Sequence, residues 1–279
     1  MSAVLTPVVE RPVDLPPGAP WWAKAWGWAW PKLLAILIVL AVWQLVVMSG
    51  WRPEYVLPSP ATTLSALFEM VGTDRFWSAL MPTMTRAVIG FALALVVGTV
   101  VGILVARIRP LRMATGALIT GLQTMPSISW FPLAILLFGL NEQAILFVVI
   151  LGAAPSIANG VITGIDHVPP AYHRLGKVLG FGSAAMYRHV VLPAILPAYV
   201  SGLTQGWAFA WRSLMAGELL VIIAERPSLG ASLEFARQFS KAPELLATML
   251  VILIIGMLVD GLFSSAARSM RRRRGLADV

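Results

Sequence analysis

The sequence contains no cysteine, and only 12% of its residues are charged. Without cysteine, the chain cannot form a disulfide framework, a thiolate metal site or a cysteine nucleophile. Its three histidines, His167, His173 and His189, form no H-E-x-x-H motif, and no G-x-S-x-G motif occurs in the chain. These absences argue against an intramembrane enzyme, and we expect no catalytic residue and no metal ligand in this chain.

Apolar residues, by contrast, are abundant. They make up 58% of the chain, and the mean hydropathy is +0.81, which is more apolar side chain than a soluble domain can bury. The net charge of +8 comes from short basic clusters between apolar runs. This distribution favours contact with a membrane over nucleic-acid binding.

Six apolar runs are long enough, at about 20 residues each, to cross the hydrocarbon core as helices. They cover approximately residues 33–50, 87–106, 113–140, 144–165, 194–218 and 245–267. The third run is interrupted by Pro126 and Pro132, which could form a gate hinge or could simply be tolerated beside Ser and Thr side chains. The sequence therefore predicts an all-α membrane protein with six transmembrane helices.

The distribution of Lys and Arg predicts the orientation of these spans, because cytoplasmic loops retain basic residues in excess. With the N-terminus inside, fourteen basic residues fall in inner segments and five in outer segments, while Arg86 and Arg212 lie at or within spans. Both termini are thus expected in the cytoplasm. We predict a tail over 1–32 with an interfacial tryptophan segment, a transmembrane domain over 33–267, and a basic cytoplasmic tail over 268–279.

Three spans carry small residues at every fourth position, which allows close helix packing in lipid. The three ladders predict a packed helical core and are neutral about function. Their members are Gly90, Ala94, Gly98, Gly102 and Ala106; Gly152, Ser156, Gly160 and Gly164; and Ala198, Gly202, Gly206 and Ala210.

The longest polar interruption on the inner side is the segment DHVPPAYHRLGKVLGFGSAAMYRH, residues 166–189. Pro169 and Pro170 can open a helix, and Gly180 and Gly182 can end one. The pattern predicts a short helix, a glycine turn and a second short helix leading into the fifth span. A structured basic loop of this length is typical of a docking surface.

This segment resembles the conserved cytoplasmic loop of binding-protein-dependent importer permeases, in which a Glu-Ala-Ala triplet is followed by a glycine and an Ile-x-Leu-Pro element at fixed spacing. The opening triplet departs from the pattern, whereas the later positions keep its spacing. The resemblance assigns ATPase coupling to the loop 166–193, through Arg174, Leu175 and Gly176 at the triplet, Lys177, Gly180 at the glycine, and Val190, Leu192 and Pro193 at the closing element.

Further segments are similar to the branch that imports nitrate, aliphatic sulfonates and taurine. They are Leu57-Pro58-Ser59-Pro60, residues 123–139 (QTMPSISWFPLAILLFG), residues 160–166 (GVITGID) and residues 211–219 with Glu218.

The resemblance implies a type I ABC importer permease in a bacterial inner membrane, surrounded by lipid. It further implies a homodimer with two ATPase subunits that hydrolyse ATP with Mg²⁺, and a periplasmic or lipid-anchored substrate-binding protein. The sequence itself contains no G-x-x-x-x-G-K-[ST] phosphate loop. We therefore expect no cofactor and no ATPase site in this chain.

Polar residues within the spans are candidates for the translocation path of a small anion: Gln123, Pro126, Asn159, Gln205, Arg212 and Glu218. A central Arg costs about 2.5 to 3.5 kcal/mol to insert, so Arg212 should have a partner or face water. Its six-residue separation from Glu218 argues against a pair within one straight helix. Arg212 could instead fix helix packing. An ATP-independent channel or secondary transporter using Arg212, Glu218 and Asp260 is the alternative, although such proteins often show repeated halves and no clear internal repeat is present.

Overall fold

The computed structural model describes residues 21–273, without the side chains of residues 21–25, 28, 109, 173 and 271–273. All regular elements in this part of the chain are helices, which confirms the all-α prediction. The predicted N-terminal tail up to residue 20 and the last six residues of the predicted C-terminal tail lie outside the described residues.

The described residues divide between Ser65 and Ala66 into two compact units. In the first unit, helix α1 (Trp21–Met48) joins the predicted tryptophan segment and the first predicted span in one element. Helix α2 (Pro60–Val71) begins directly after Leu57-Pro58-Ser59. The Ser59 hydroxyl accepts the Thr62 backbone N–H at 3.2 Å, so this sequence element is a helix start with a serine cap and proline at the first position.

The second unit contains nine further helices among the described residues. Two short segments of different pitch interrupt them: a 3₁₀ turn at Ser127–Trp130 and a π-helical segment at Tyr187–Val191. The helices are α3 (Asp74–Arg107), α4 (Arg109–Thr124), α5 (Phe131–Phe138), α6 (Glu142–Asp166), α7 (Pro170–Val178), α8 (Ser183–Met186), α9 (Leu192–Leu220), α10 (Leu229–Gln238) and α11 (Ala242–Arg273).

The core of this unit is α6, which packs against both α3 and α9. A Cβ atom added to Gly202 of α9 would lie 2.8 Å from the Cα of Gly160 on α6, so the two backbones touch. On the other side of α6, a Cβ atom on Gly98 of α3 would lie 2.6 Å from the carbonyl oxygen of Ala154. The small-residue ladders are therefore the packing surfaces of the core, as predicted.

The third predicted span is broken at Met125 and Pro126, where α4 ends and the chain bends by 105° before α5. Pro126 lies at this break. Pro132 lies in the first turn of α5, where its missing N–H is tolerated, so it does not kink a continuous helix. Of the two prolines considered as a gate hinge, Pro126 thus coincides with a change in the direction of the chain, and Pro132 does not.

In the described part of the chain, four helices are long and apolar enough to cross a membrane, or five if the bent third segment counts as one span. Helix α9 has 29 residues but is not among them. Its polar residues, which include Gln205, Arg212 and Glu218, lower its hydropathy. The six-span count and the cytoplasmic termini therefore remain predictions.

Candidate functional site

The basic loop between α6 and α9 folds as the sequence predicts, with α7, a glycine turn and α8. Helix α7 ends in a Schellman motif: the Phe181 N–H donates to the Gly176 carbonyl at 2.9 Å, and the Gly180 N–H donates to the Lys177 carbonyl at 3.0 Å. Gly180 has φ +73°, and a Cβ atom there would meet nothing within 4 Å. Glycine is thus required for its left-handed backbone and not for lack of space.

A small apolar cluster holds this loop in shape. Val168, Met186, Val191 and Ile195 are buried together beneath it. A Cβ atom on Gly176 would lie 2.5 Å from the Met186 Cε atom, so the glycine that departs from the family's triplet accommodates Met186. The turn itself keeps the glycine of the family's pattern, at Gly180.

The outer surface of the loop is apolar and basic. Four large apolar side chains of the first loop helix and its end are exposed, and Arg174, Lys177 and Arg188 are exposed beside them. Leu192 and Pro193 are also exposed, whereas Val190 is half-buried against the apolar cluster. The apolar side chains are Tyr172, Leu175, Val178 and Leu179.

A charged cluster lies at the opposite end of α6 and α9. Arg86 of α3 makes a bidentate pair with Glu142, the first residue of α6, with Nε and Nη2 donating at 2.7 Å each. Its Nη1 donates to Glu218 Oε1 near the end of α9 at 2.8 Å. One guanidinium therefore joins three helices. Charge-assisted bonds of this kind are the strong ones in proteins.

Glu218 is fully buried and every oxygen of its carboxylate is bonded. Its Oε2 accepts the Thr83 hydroxyl at 2.9 Å and the Gly230 backbone N–H at 3.1 Å. The Thr83 hydroxyl in turn accepts the Leu229 N–H at 3.0 Å. The cluster thus fixes the start of α10, and in this conformation Glu218 has no surface to offer a solute.

An open cavity of about 440 Å³ adjoins the charged cluster. Its polar wall includes Glu142 and Arg226, whose Nη1 lies 3.6 Å from Glu142 Oε1. Its apolar wall includes Met81, Ile89 and Leu146. Arg86 is buried between two carboxylates, whereas Arg226, the other cation at this cavity, is exposed.

A polar stripe runs along one face of α9. Ser201, Gln205 and Arg212 are spaced by four and seven residues, which places them on one side of the helix, and all three are exposed. Elsewhere α9 packs against α3, α6, α10 and α11. Arg212 donates from Nε to the Ala208 carbonyl at 3.0 Å, and its Cζ lies 4.8 Å from the centre of the Phe209 ring.

The other predicted path residues occupy separate positions. Gln123 donates to the Pro155 carbonyl of α6 at 3.2 Å, which is a hydrogen bond between helices. Asn159, one turn further along α6, is exposed, and so is Asp260 on α11. As expected from their separation, Arg212 and Glu218 are not paired.

The sequence indicated neither the Arg86–Glu142 pair nor the role of Thr83. Arg86 lies at the edge of a predicted span, and an Arg in such a place needs a partner. The sequence therefore indicated that Arg86 has a partner. It did not identify Glu142, because 56 residues separate the two charges and spacing cannot reveal a partner on another helix. Among the described residues, no group of three or more His, Asp or Glu is arranged to bind a metal ion.

Comparisons with known proteins agree with this architecture. Residues 98–273 match the family described as binding-protein-dependent transport system inner membrane component. The chain is 27% identical to a putative aliphatic sulfonates transport permease of Bacillus subtilis over 251 residues, which cover 90% of each chain.

Other relatives have different cargoes in their names. The chain is 27% identical to a nitrate import permease of Synechocystis sp., covering 82% of this chain and 86% of the relative. It is also 27% identical to the taurine transport system permease of Escherichia coli, covering 88% and 91%. Among solved structures, the MetNI methionine ABC transporter in an inward-facing form aligns with a TM-score of 0.57 at 20% identity, covering 70% of this chain and 93% of that one. These matches confirm the resemblance found in the loop.

Proposed function

Because this chain belongs to the family of inner-membrane components of binding-protein-dependent transport systems, we propose that it forms the path of a small anion such as a sulfonate, taurine or nitrate. It is a multi-pass membrane protein and a permease subunit of an ATP-driven importer. The names of its relatives support small oxyanions as cargo. Beyond membership of the family, the proposal assigns a small oxyanion as the solute.

The observation that carries the proposal is the polar stripe of α9. Ser201, Gln205 and Arg212 are exposed on a helix that otherwise packs into the core of the second unit. A cation facing lipid is costly, so such a face belongs against water or a second polypeptide. Among the described residues, Arg212 contacts a backbone carbonyl and an aromatic ring and forms no ion pair, and a weakly held cation can attract an oxyanion and release it again.

The assembly we propose follows the family resemblance. Two copies of the chain, each with six spans and cytoplasmic termini, enclose the path. An ATPase subunit docks on the loop 166–193 of each copy, and a periplasmic or lipid-anchored binding protein delivers solute at the other end. Gln123, Pro126 and Asn159 remain proposed path residues, whereas the buried contacts of Glu218 favour a role in holding the helices together.

An ATP-independent channel or secondary transporter would need Arg212, Glu218 and Asp260 to act as one ion pathway. Glu218 is hydrogen-bonded to Thr83, Arg86 and Gly230, and not to Arg212 or Asp260. Arg212 donates to a carbonyl of its own helix. The family match also favours the importer.

The test is sulfonate and nitrate uptake in proteoliposomes that contain the permease, its ATPase and its binding protein. We expect Arg212→Gln to abolish uptake while basal ATPase activity and assembly stay intact, and Arg212→Lys to retain part of the uptake. Arg75→Gln, which neutralises an exposed arginine away from α9, is the matched control and should transport normally. Normal uptake by Arg212→Gln, or its failure to assemble, would show that Arg212 has no role in the path.

A further inference from the structure

The loop between α6 and α9 carries seven exposed apolar and basic side chains, which we call the basic loop surface: Tyr172, Leu175, Val178, Leu179, Arg174, Lys177 and Arg188. Its apolar members are between 47% and 84% exposed, and Val178 is the most exposed. Helical spacing puts the apolar residues of α7 on one side, with Arg174 and Lys177 adjoining them. Clustered exposed apolar side chains of this kind mark an interaction site.

The positive charge of this surface is not neutralised within the chain. Arg174, Lys177 and Arg188 form no ion pair with any carboxylate in the part of the chain that the structure describes. From residue 143 to residue 217 the sequence holds a single acidic residue, Asp166. That carboxylate already pairs with Arg112. Within the described residues, the surface therefore carries three cations that no carboxylate pairs with.

We propose that the basic loop surface docks into a cleft with an apolar floor and an acidic rim on its ATPase subunit. The inference rests on the proposed function, in which an ATPase docks on this loop, and adds the chemistry of that partner. An apolar centre with charges at the edge is the usual arrangement of a specific interface. Cations at the rim attract a partner of opposite charge and disfavour one of like charge.

The charge of Arg174 predicts the charge of the partner residue that lies opposite it. It occupies the position at which the family's loop pattern has glutamate, so the sign of the charge is reversed at this point. An ATPase suited to a glutamate there would face Arg174 with a like charge or with none. The partner of this chain should therefore carry Asp or Glu opposite Arg174, and exchange with ATPases of glutamate-bearing relatives should be poor.

The rigidity of the loop supports a protein partner over an anionic lipid surface. The helix α7 has nine residues, ends in the Schellman motif at Gly180 and rests on the buried side chain of Met186. Helices that lie on membranes have a large apolar face that enters the lipid, usually with Trp or Phe. Here a short, fixed helix projects Val178 and Leu179 outward, which suits insertion into a cleft.

The experiment measures binding between the purified permease in detergent and its ATPase, identified by co-purification with the wild-type chain and then expressed separately. The double variant Arg174→Glu with Lys177→Glu should bind roughly tenfold more weakly at low ionic strength, and the difference should shrink as salt is added. Leu175→Ala should weaken binding at every salt concentration. Arg75→Glu, which reverses an exposed charge outside the surface, should bind as the wild type does.

Reversal of one acidic residue on the ATPase to lysine should restore the binding of the double variant. If the double variant binds the ATPase normally while Leu175→Ala does not, the loop docks but the acidic rim is wrong. If neither variant affects binding, the ATPase does not dock here and the proposed function loses its coupling site. Binding of the wild type, but not the double variant, to phosphatidylglycerol vesicles with unchanged ATPase binding would assign the surface to lipid and overturn the inference.

Discussion

The Gly230 amide at the start of α10 donates to the buried carboxylate of Glu218 near the end of α9 at 3.1 Å. A Cβ atom on Gly230 would lie 2.4 Å from the Glu218 Cβ atom, so the contact leaves room for glycine alone. Arg86 holds the other oxygen of the same carboxylate. One buried acid therefore positions α10 relative to α3 and α9.

We predict that Arg86→Met destabilises the folded protein by about 3 to 5 kcal/mol, because it leaves Glu218 buried without its counter-charge. Unfolding in detergent, followed by loss of helical circular dichroism, measures the change. Replacing Glu142 and Glu218 by Gln in the same chain should recover part of the loss, since no uncompensated buried charge then remains. Arg237→Met, which removes an exposed pair with Glu234, is the control and should have little effect.

We predict that Gly202→Ala destabilises the protein by roughly 1 to 3 kcal/mol, because its Cβ atom would meet the backbone of Gly160 and neither helix can move away without opening the core. Gly116→Ala on α4 is the matched control, since nothing lies within 4 Å of its Cβ position. Both changes add one methyl to a helix, and detergent unfolding compares them. Equal stabilities would show that the close approach of α6 and α9 is not required.

The sequence predicted those features that depend on local periodicity or on a single backbone requirement. The ladders of Gly98, Gly160 and Gly202 predicted the packed helices, and Gly180 predicted the turn that ends α7. The partners of Glu218 could not be predicted, because Thr83, Arg86 and Gly230 are brought to it only by tertiary packing. The bend at Pro126 was visible as a proline, but its size depends on how α5 packs, which no local pattern encodes.

We predict that substitutions at Gly180 reduce coupling in the order Asn, Ala, Val, with Val the most severe. The Cβ atom has open space, so the penalty comes from φ +73°, which costs an L-residue about 1 to 2 kcal/mol and a β-branched residue more, while Asn tolerates it. ATPase association and stimulated hydrolysis are the measurements. Normal uptake with Gly180→Val would remove this turn from the mechanism, and an equal loss with all three substitutions would point to a direct contact of the glycine backbone.

We predict that both ends of the chain and the loop 166–193 are cytoplasmic. The native chain has no cysteine, so single cysteines can be labelled by an impermeant thiol reagent without background. Ser183→Cys and Ser269→Cys should be protected in intact cells, and Ala224→Cys, between α9 and α10, should be labelled; all three positions are exposed. Ser59 and Asn141 are less suitable because each bonds the start of a helix. Labelling of Ser183→Cys from outside would contradict the orientation.

The π-helical segment Tyr187–Val191 joins α8 to α9 without a break, so helical backbone runs from Ser183 to Leu220. At 1.5 Å per residue, Ser183 in the loop and Arg212 in the polar stripe are separated by roughly 40 Å along one rod. A π turn holds one residue more than an α turn, and its rewinding to α geometry would twist α9 by about 100° about its own axis. Because the helical backbone is continuous, such a rewinding beside the loop would also rotate the polar stripe about the axis of α9.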